Sequence, residues 1–240
     1  MDRREWLAFL GTLGTGLVAH EACAEDHGAP KNNDGDSPVA GPHAFFCGIH
    51  IAKRDPKFQI VTQHYCTAHT GEGHSAEQLF QCLLFDSRAK NAKLLGVEYI
   101  ITDERYRRLP ETEKKFWHPH SYEVLGGGLI APGMDAESER TFMKGLLTTW
   151  GKAWHTWPDP KTDVPIGEPL LIWSLMGDGQ VDPGVVAARD REFNVSTEAI
   201  GARRRKEFGY ESPRVSVPKS IDQIGRMWTD SGDDKPTPLK

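Results

Sequence analysis

The stretch FQCLLFDSRAKNAKLLGVEYII, residues 80–101, holds two short apolar runs on either side of a polar connection. Phe80–Asp86 and Leu94–Ile101 are rich in β-branched, aromatic and leucine side chains, and Asp, Ser, Arg, Lys and Asn bound them, as strand ends are bounded. The connection Ser87–Lys93 has the length of a hairpin turn, whereas a parallel pair needs a crossover of a dozen residues or more. This stretch therefore predicts an antiparallel pair.

Working outward, the same short spacing recurs. PETEKKFW opens with Pro110 in a first-turn position and acids behind it, so it predicts a short helix. SYEV and GLIAP, separated by Gly126 and Gly127, predict a second hairpin. DAESERTFMKGLLTTWGKAW carries the clearest helical signal. Asp135 is placed to cap it, Glu137 and Glu139 sit near its positive end, and Phe142, Leu146 and Trp150 recur at i+4. KAWHTW alternates, PLLIWSLM is a buried-strand candidate, and helices are expected around 183–193 and 196–208. Strands do not alternate with crossover-length helices. The fold class expected is α+β, a mainly antiparallel sheet packed with helices in a single domain.

The ends differ from this body. Residues 1–24 read as a signal peptide: Arg3 and Arg4 precede a moderately apolar segment, and Ala22-Cys23-Ala24 fits a small-x-small cleavage site. The paired arginines are twin-arginine-like, which predicts export to a bacterial periplasm, with lipoprotein anchoring at Cys23 disfavoured by His20 and Glu21. Residues 25–43 read as a flexible linker, 44–211 as the folded domain and 212–240 as an extended tail. The net charge of -5 lacks the basic excess of a nucleic-acid binder, so no nucleic-acid partner is expected. Beyond the leader no apolar run approaches the ~20 residues of a membrane span. With the leader removed, Cys47, Cys66 and Cys82 remain. An oxidising compartment permits one disulfide, and Cys66–Cys82 closes the short loop; the competing reading makes these thiols metal ligands.

The histidines are placed in a suggestive way. On an extended segment residues two apart share a face, so His118 and His120 can grip an ion from one side, as can His64 and Cys66. Glu98 and Glu123 are the carboxylates nearest this set in pattern. The metal candidates are His64, His118, His120 and Glu98, with Cys66 and His155 in reserve, and a transition metal such as zinc or iron is the ion such a set suits. Against this stands a plain structural role, since a buried histidine often donates to a main-chain oxygen. The cupin pattern fits poorly, because Glu123 follows the His pair too closely. The chain has no GxSxG elbow, no GxxxxGK[ST] loop and no GxGxxG after a strand. RRRK at 203–206 reads as a solvated helix face, with an anionic headgroup or partner as the sharper alternative.

In order, QHYC, QCLLFDS, AKLLGVEYII, LPETEKKFWHPHSYEV, GLIAP, WGKAWHTW and IGEPLLIWSL resemble the oil-body-associated protein family, a domain of unknown function shared by plants, fungi and bacteria. The resemblance runs from about Phe45 to Ala202. It implies a lipid- or envelope-associated, non-enzymatic protein, since plant members associate with seed lipid droplets and no catalytic activity is established for the family. The alternative, from the residues themselves, is a metal-binding protein, including a metal-dependent enzyme.

Overall fold

A computed structural model describes residues 44–69 and 79–213, which belong to one compact unit; the expected signal peptide, the expected linker and all but the first two residues of the expected tail lie outside the described residues. Seven strands appear in it: β1 Ala44–Ala52, β2 Asp55–His69, β3 Leu79–Phe85, β4 Leu94–Thr102, β5 His118–Pro119, β6 Thr149–His155 and β7 Leu170–Trp173. The expected hairpin is β3–β4, and its register opposes Cys82 to Glu98 and Leu84 to Gly96. All pairings are antiparallel.

The sheet does more than the expected α+β layer: it closes on itself. β4 pairs with β3 on one edge and with β6 on the other, and β6 reaches β7, which returns to β1. Six strands thus form an antiparallel barrel in the ring β1-β2-β3-β4-β6-β7. β7 is too short to cover the far edge of β6, and β5 fills that gap by pairing His118 with Gly151. Closure removes the open edges that would otherwise invite aggregation.

Register fixes what faces inward, because opposed residues share a face and so do residues two apart. The inner face carries Phe46, Gly48 and His50 of β1, Thr62, His64 and Cys66 of β2, Cys82 and Leu84 of β3, Gly96, Glu98 and Ile100 of β4, Gly151, Ala153 and His155 of β6, and Ile172 of β7. Cys66 and Cys82, directly opposed, form the disulfide expected from the shorter loop. Cys47 is buried, and burial pushes its thiol up to about 12, so it stays a neutral core group.

Helices close the barrel and pack outside it: α1 Asp103–Arg108, α2 Glu111–Lys114, α3 Ser121–Leu125, α4 Ala136–Leu146, α5 Pro183–Phe193 and α6 Thr197–Phe208. The Asp135 cap is present, accepting from the Glu137 and Ser138 amides. Helix α4 nevertheless stops at Leu146, and Trp150 joins β6 opposite Ile101, stacked on Tyr106 of α1. The β-branched pair Thr148 and Thr149 marks the switch from helical to extended backbone.

The expected SYEV–GLIAP hairpin is not formed. SYEVL is the buried helical turn α3, and Ile130 beyond it bridges to Cys47 of β1 instead. Gly127 explains the difference. It turns the chain at φ +79, and a Cβ there would lie 2.1 Å from the Thr197 carbonyl, so only glycine lets α6 approach.

The carbonyls left over where α3 ends are met by the buried Arg189 and Arg204 and the half-buried Arg205. Arg204 Nη1 donates to Val124 O (3.0 Å) and Leu129 O (2.7 Å), Arg205 Nη1 to Leu125 O (2.9 Å), and Arg189 Nη1 to Gly128 O (2.7 Å). Glu139 of α4 balances Arg204, accepting from its Nε at 3.1 Å and also from its Nη2. The RRRK cluster is therefore committed to the core in part, not presented whole as an anionic-partner face. Removing one member of such a pair strands a buried charge, which costs about 3–5 kcal/mol. Arg204→Ala is expected to lower unfolding stability by about that amount in denaturant titration, with part recovered in Arg204→Met combined with Glu139→Leu.

Candidate functional site

Inside the barrel the strands point polar side chains at one another. Glu98, 1% exposed, projects from the middle of β4 between two groups of imidazoles. Its Oε1 lies 3.2 Å from His118 Nε2 and 3.4 Å from His120 Nε2, and its Oε2 lies 3.2 Å from His64 Nε2. His118 comes from β5 and His120 from the start of α3, so the pair does not share one extended strand as expected. Pro119 carries the chain between the two conformations, and both rings still reach the same oxygen.

His50 joins from the neighbouring strand, its Nε2 2.9 Å from His64 Nε2. The potential ligand atoms fall into two triads, each within 4.8 Å: His50, His64 and Glu98, and Glu98, His118 and His120. The expected set of His64, His118, His120 and Glu98 is thus assembled around Glu98 but divided by it. His155 of β6 does not touch the carboxylate; its Nε2 lies 2.9 Å from His50 Nδ1, on the side of His50 away from His64. Cys66 sits in the disulfide and presents no thiolate. Glu123 is close, with Oε1 4.0 Å from His120 Nε2. Two members escaped the sequence reading. His50 lies in CGIHIA, where alternation with Cys47, Ile49 and Ile51 signals a strand with Gly48 and His50 on one face. Gly151 is silent in sequence, yet a Cβ there would lie 2.2 Å from Glu98 Oε1 and 2.7 Å from both His118 Nε2 and His120 Nε2.

Outer hydrogen bonds decide which nitrogen carries the proton in two of the rings, His64 and His120. His64 Nδ1 lies 3.1 Å from the Thr62 carbonyl, which only accepts, so the ring donates through Nδ1. Thr149 Oγ1 donates to Leu146 O at 2.8 Å and accepts from His120 Nδ1 at 2.8 Å. In the neutral rings this leaves bare lone pairs on His64 Nε2 and His120 Nε2, both directed at the Glu98 carboxylate. Lone pair against lone pair is repulsive unless a cation, either a proton on Nε2 or a metal ion, lies between them. His118 Nδ1 and His155 Nδ1 are buried without a partner among the described residues.

Electrostatics agrees with a crowded, water-poor site. Burial alone would raise Glu98, but the contacts with His118, His120 and His64 outweigh it and hold the carboxyl well below its usual range. Burial, reinforced by the Glu98 charge, pushes Glu123 well above the usual range. Burial also lowers His118 and lowers His50 strongly, and takes His155 down to about 3. The sign of the pH dependence follows. Below the unfolded value near 6.5, the unfolded chain takes up protons that these three folded imidazoles refuse, so acid favours unfolding. Glu123 opposes this, one group against three. Metal-free protein is expected to lose stability as pH falls below about 6.5, by about 1.4 kcal/mol per pH unit for each such histidine before the Glu123 offset. Denaturant midpoints at pH 7, 6 and 5 check this, and His155→Asn should give a shallower slope.

Comparison with known proteins places this architecture. Residues 36–208 match the family described as protein of unknown function (DUF1264). Oil body-associated protein 1B of Arabidopsis thaliana is 32% identical over 186 residues, covering 77% of this chain and 71% of its own length. Oil body-associated protein 1A of Zea mays is 33% identical over 178 residues, covering 74% and 72% respectively. No solved structure gives a significant match. The barrel with its buried Glu98 belongs, with the whole of residues 44–208, to a chain that is a member of the DUF1264 family of oil-body-associated proteins.

Proposed function

We propose that the barrel of this protein binds a divalent transition-metal ion through Glu98, His118 and His120. The observation that carries this reading is the His120 Nε2 lone pair, fixed by Thr149 and aimed at an ionised carboxylate oxygen that His118 Nε2 also faces. Donors about 2.0–2.1 Å from a common ion stand roughly 2.9–3.4 Å apart for octahedral to tetrahedral angles, and the separations of 3.2 and 3.4 Å lie in that range. The outer contact that fixes His120 is of the kind that orients metal-bound imidazoles. Two imidazoles and one carboxylate suit zinc, iron or another transition ion in preference to magnesium or calcium, which favour all-oxygen sites. Three protein ligands leave coordination positions for water or a small molecule, the arrangement that metal-dependent enzymes share with reversible binders.

Protein purified without chelator is expected to carry at least one equivalent of transition metal by elemental analysis. Its melting temperature should rise with metal, by about 2.7 kcal/mol of stability at a hundred times Kd. His118→Ala is expected to weaken this binding. Gly151→Ala, which drives a methyl among the three donors, should do so with the barrel intact by circular dichroism. Less than about a tenth of an equivalent, with no metal-dependent melting, sinks the reading.

A second reading, association with a lipid surface, draws on the relatives' names and on one feature of the outer wall. No described helix is long and apolar enough to cross a membrane. A groove of about 520 Å³ between β4 and α1 is lined by Tyr99, Ile101 and Leu109 together with Arg105, Arg108 and Lys152, of which Arg108 pairs with Glu104 and Lys152 with Glu113. Apolar and basic side chains in one groove suit an anionic lipid headgroup and the start of its chains. The protein is expected to float with vesicles containing phosphatidylserine and to lose this in Arg105→Glu with Arg108→Glu. Equal flotation of the double variant, or no flotation at low salt, argues against the groove.

A further inference from the structure

Resting on the metal reading above, we propose that the barrel holds two transition-metal ions, bridged by the Glu98 carboxylate. Each oxygen of that carboxylate serves a different group. Oε1 faces His118 Nε2 and His120 Nε2, and Oε2 faces His64 Nε2 at 3.2 Å, with His50 Nε2 2.9 Å from the latter. His50, His64 and Glu98 form the second triad within 4.8 Å, and all three are buried. A pair of ions sharing a carboxylate stands about 3.5–4 Å apart in two-metal sites, a span one bridging carboxylate reaches with its two oxygens.

The second triad carries its own preparation for a metal. His64 Nδ1 donates to the Thr62 carbonyl, which frees Nε2 as a ligand. His50 Nδ1 faces His155 Nε2 at 2.9 Å, so a His50 that donates from Nδ1 presents its Nε2 lone pair toward His64 Nε2. His155 is then a positioning residue, holding the His50 tautomer from behind, and its own Nδ1 is left buried without a partner among the described residues. The separations of 2.9 and 3.2 Å are again those of donors around one ion, about 2.9–3.4 Å. With no metal, a file of three neutral imidazoles satisfies itself by passing one proton along, but the His64 Nε2 edge still meets the carboxylate without a proton between them. One ion at each oxygen relieves both faces of Glu98. A single carboxylate and four neutral imidazoles leave two divalent ions with a charge of +3, and Glu123 Oε1, 4.0 Å from His120 Nε2, is a further carboxyl beside the cluster.

Chelator-stripped full-length protein, titrated with Zn²⁺ and desalted, is expected to retain two equivalents by elemental analysis. Titrated with Cu²⁺, it should show an isolated-spin signal at the first equivalent and a half-field transition from a coupled pair at the second. His50→Ala and His118→Ala should each reduce the stoichiometry from two to one and abolish the half-field signal; circular dichroism and melting confirm that each variant is folded. Wild-type protein alone decides the outcome if a variant does not fold. No bound metal overturns both readings. One equivalent leaves the metal reading and overturns the pair. Two equivalents without spin coupling overturn the Glu98 bridge.

Discussion

A carboxylate at the centre of a closed barrel sets the terms for the rest of this molecule. Glu98 is removed from water by strands on every side, and a buried ionised group costs several kcal/mol unless neighbours compensate it. The compensation here is a shell of imidazoles drawn from four strands and the mouth of one helix. His64, His118 and His120 have their nearest edges within hydrogen-bond or ligand range of the carboxylate, and His50 and His155 stand in file behind His64. The far edges of His64 and His120 are tied to Thr62 and Thr149. A barrel filled with leucine would be easier to fold. The polar interior is the feature on which the proposed metal site rests.

The surrounding architecture keeps that site rigid. The wall is closed by β4–β6 pairing, so no strand on which Glu98 depends has a free edge to slide along. The disulfide joins β2 to β3 two residues from His64, and its sulfurs lie on the same inner face. At the open end, α3 is buried over its whole length, and it carries His120 into place at its first turn. Its last carbonyls, of Val124 and Leu125, are held by Arg204 and Arg205 of α6, and those of Gly127 and Gly128 just beyond it by Arg189 of α5. Charge buried at the mouth thus positions charge buried at the centre.

Much of the scaffold was legible along the chain. The β3–β4 hairpin, the Asp135-capped helix, the strand at LLIW and the two last helices all follow from local signals: alternation, a capping side chain, a proline at a first turn, bounding polar residues. The SYEVL turn was not. Its apolar content and flanking glycines suit a hairpin equally well, and only the approach of α6 over Gly127 selects the helix. The arginines of RRRK likewise look like solvated charge until Glu139 and the α3 carbonyls are placed opposite them.

The same division holds for the site. Sequence determined the candidates: His64 and Glu98 sit on strands whose alternation gives each a buried face, while His118 and His120 were singled out by their spacing, although they lie on a strand and a helix start. Sequence also determined the family, through motifs spread over the body. Tertiary structure alone decided that these faces meet, that Glu98 stands between two triads, that His50 joins His64 in one of them and that His155 stands behind His50. The reason is physical. Periodicity reports which side of a strand is buried, whereas strand order and barrel closure decide which other strand lies across the interior, and those depend on contacts between residues far apart in the chain.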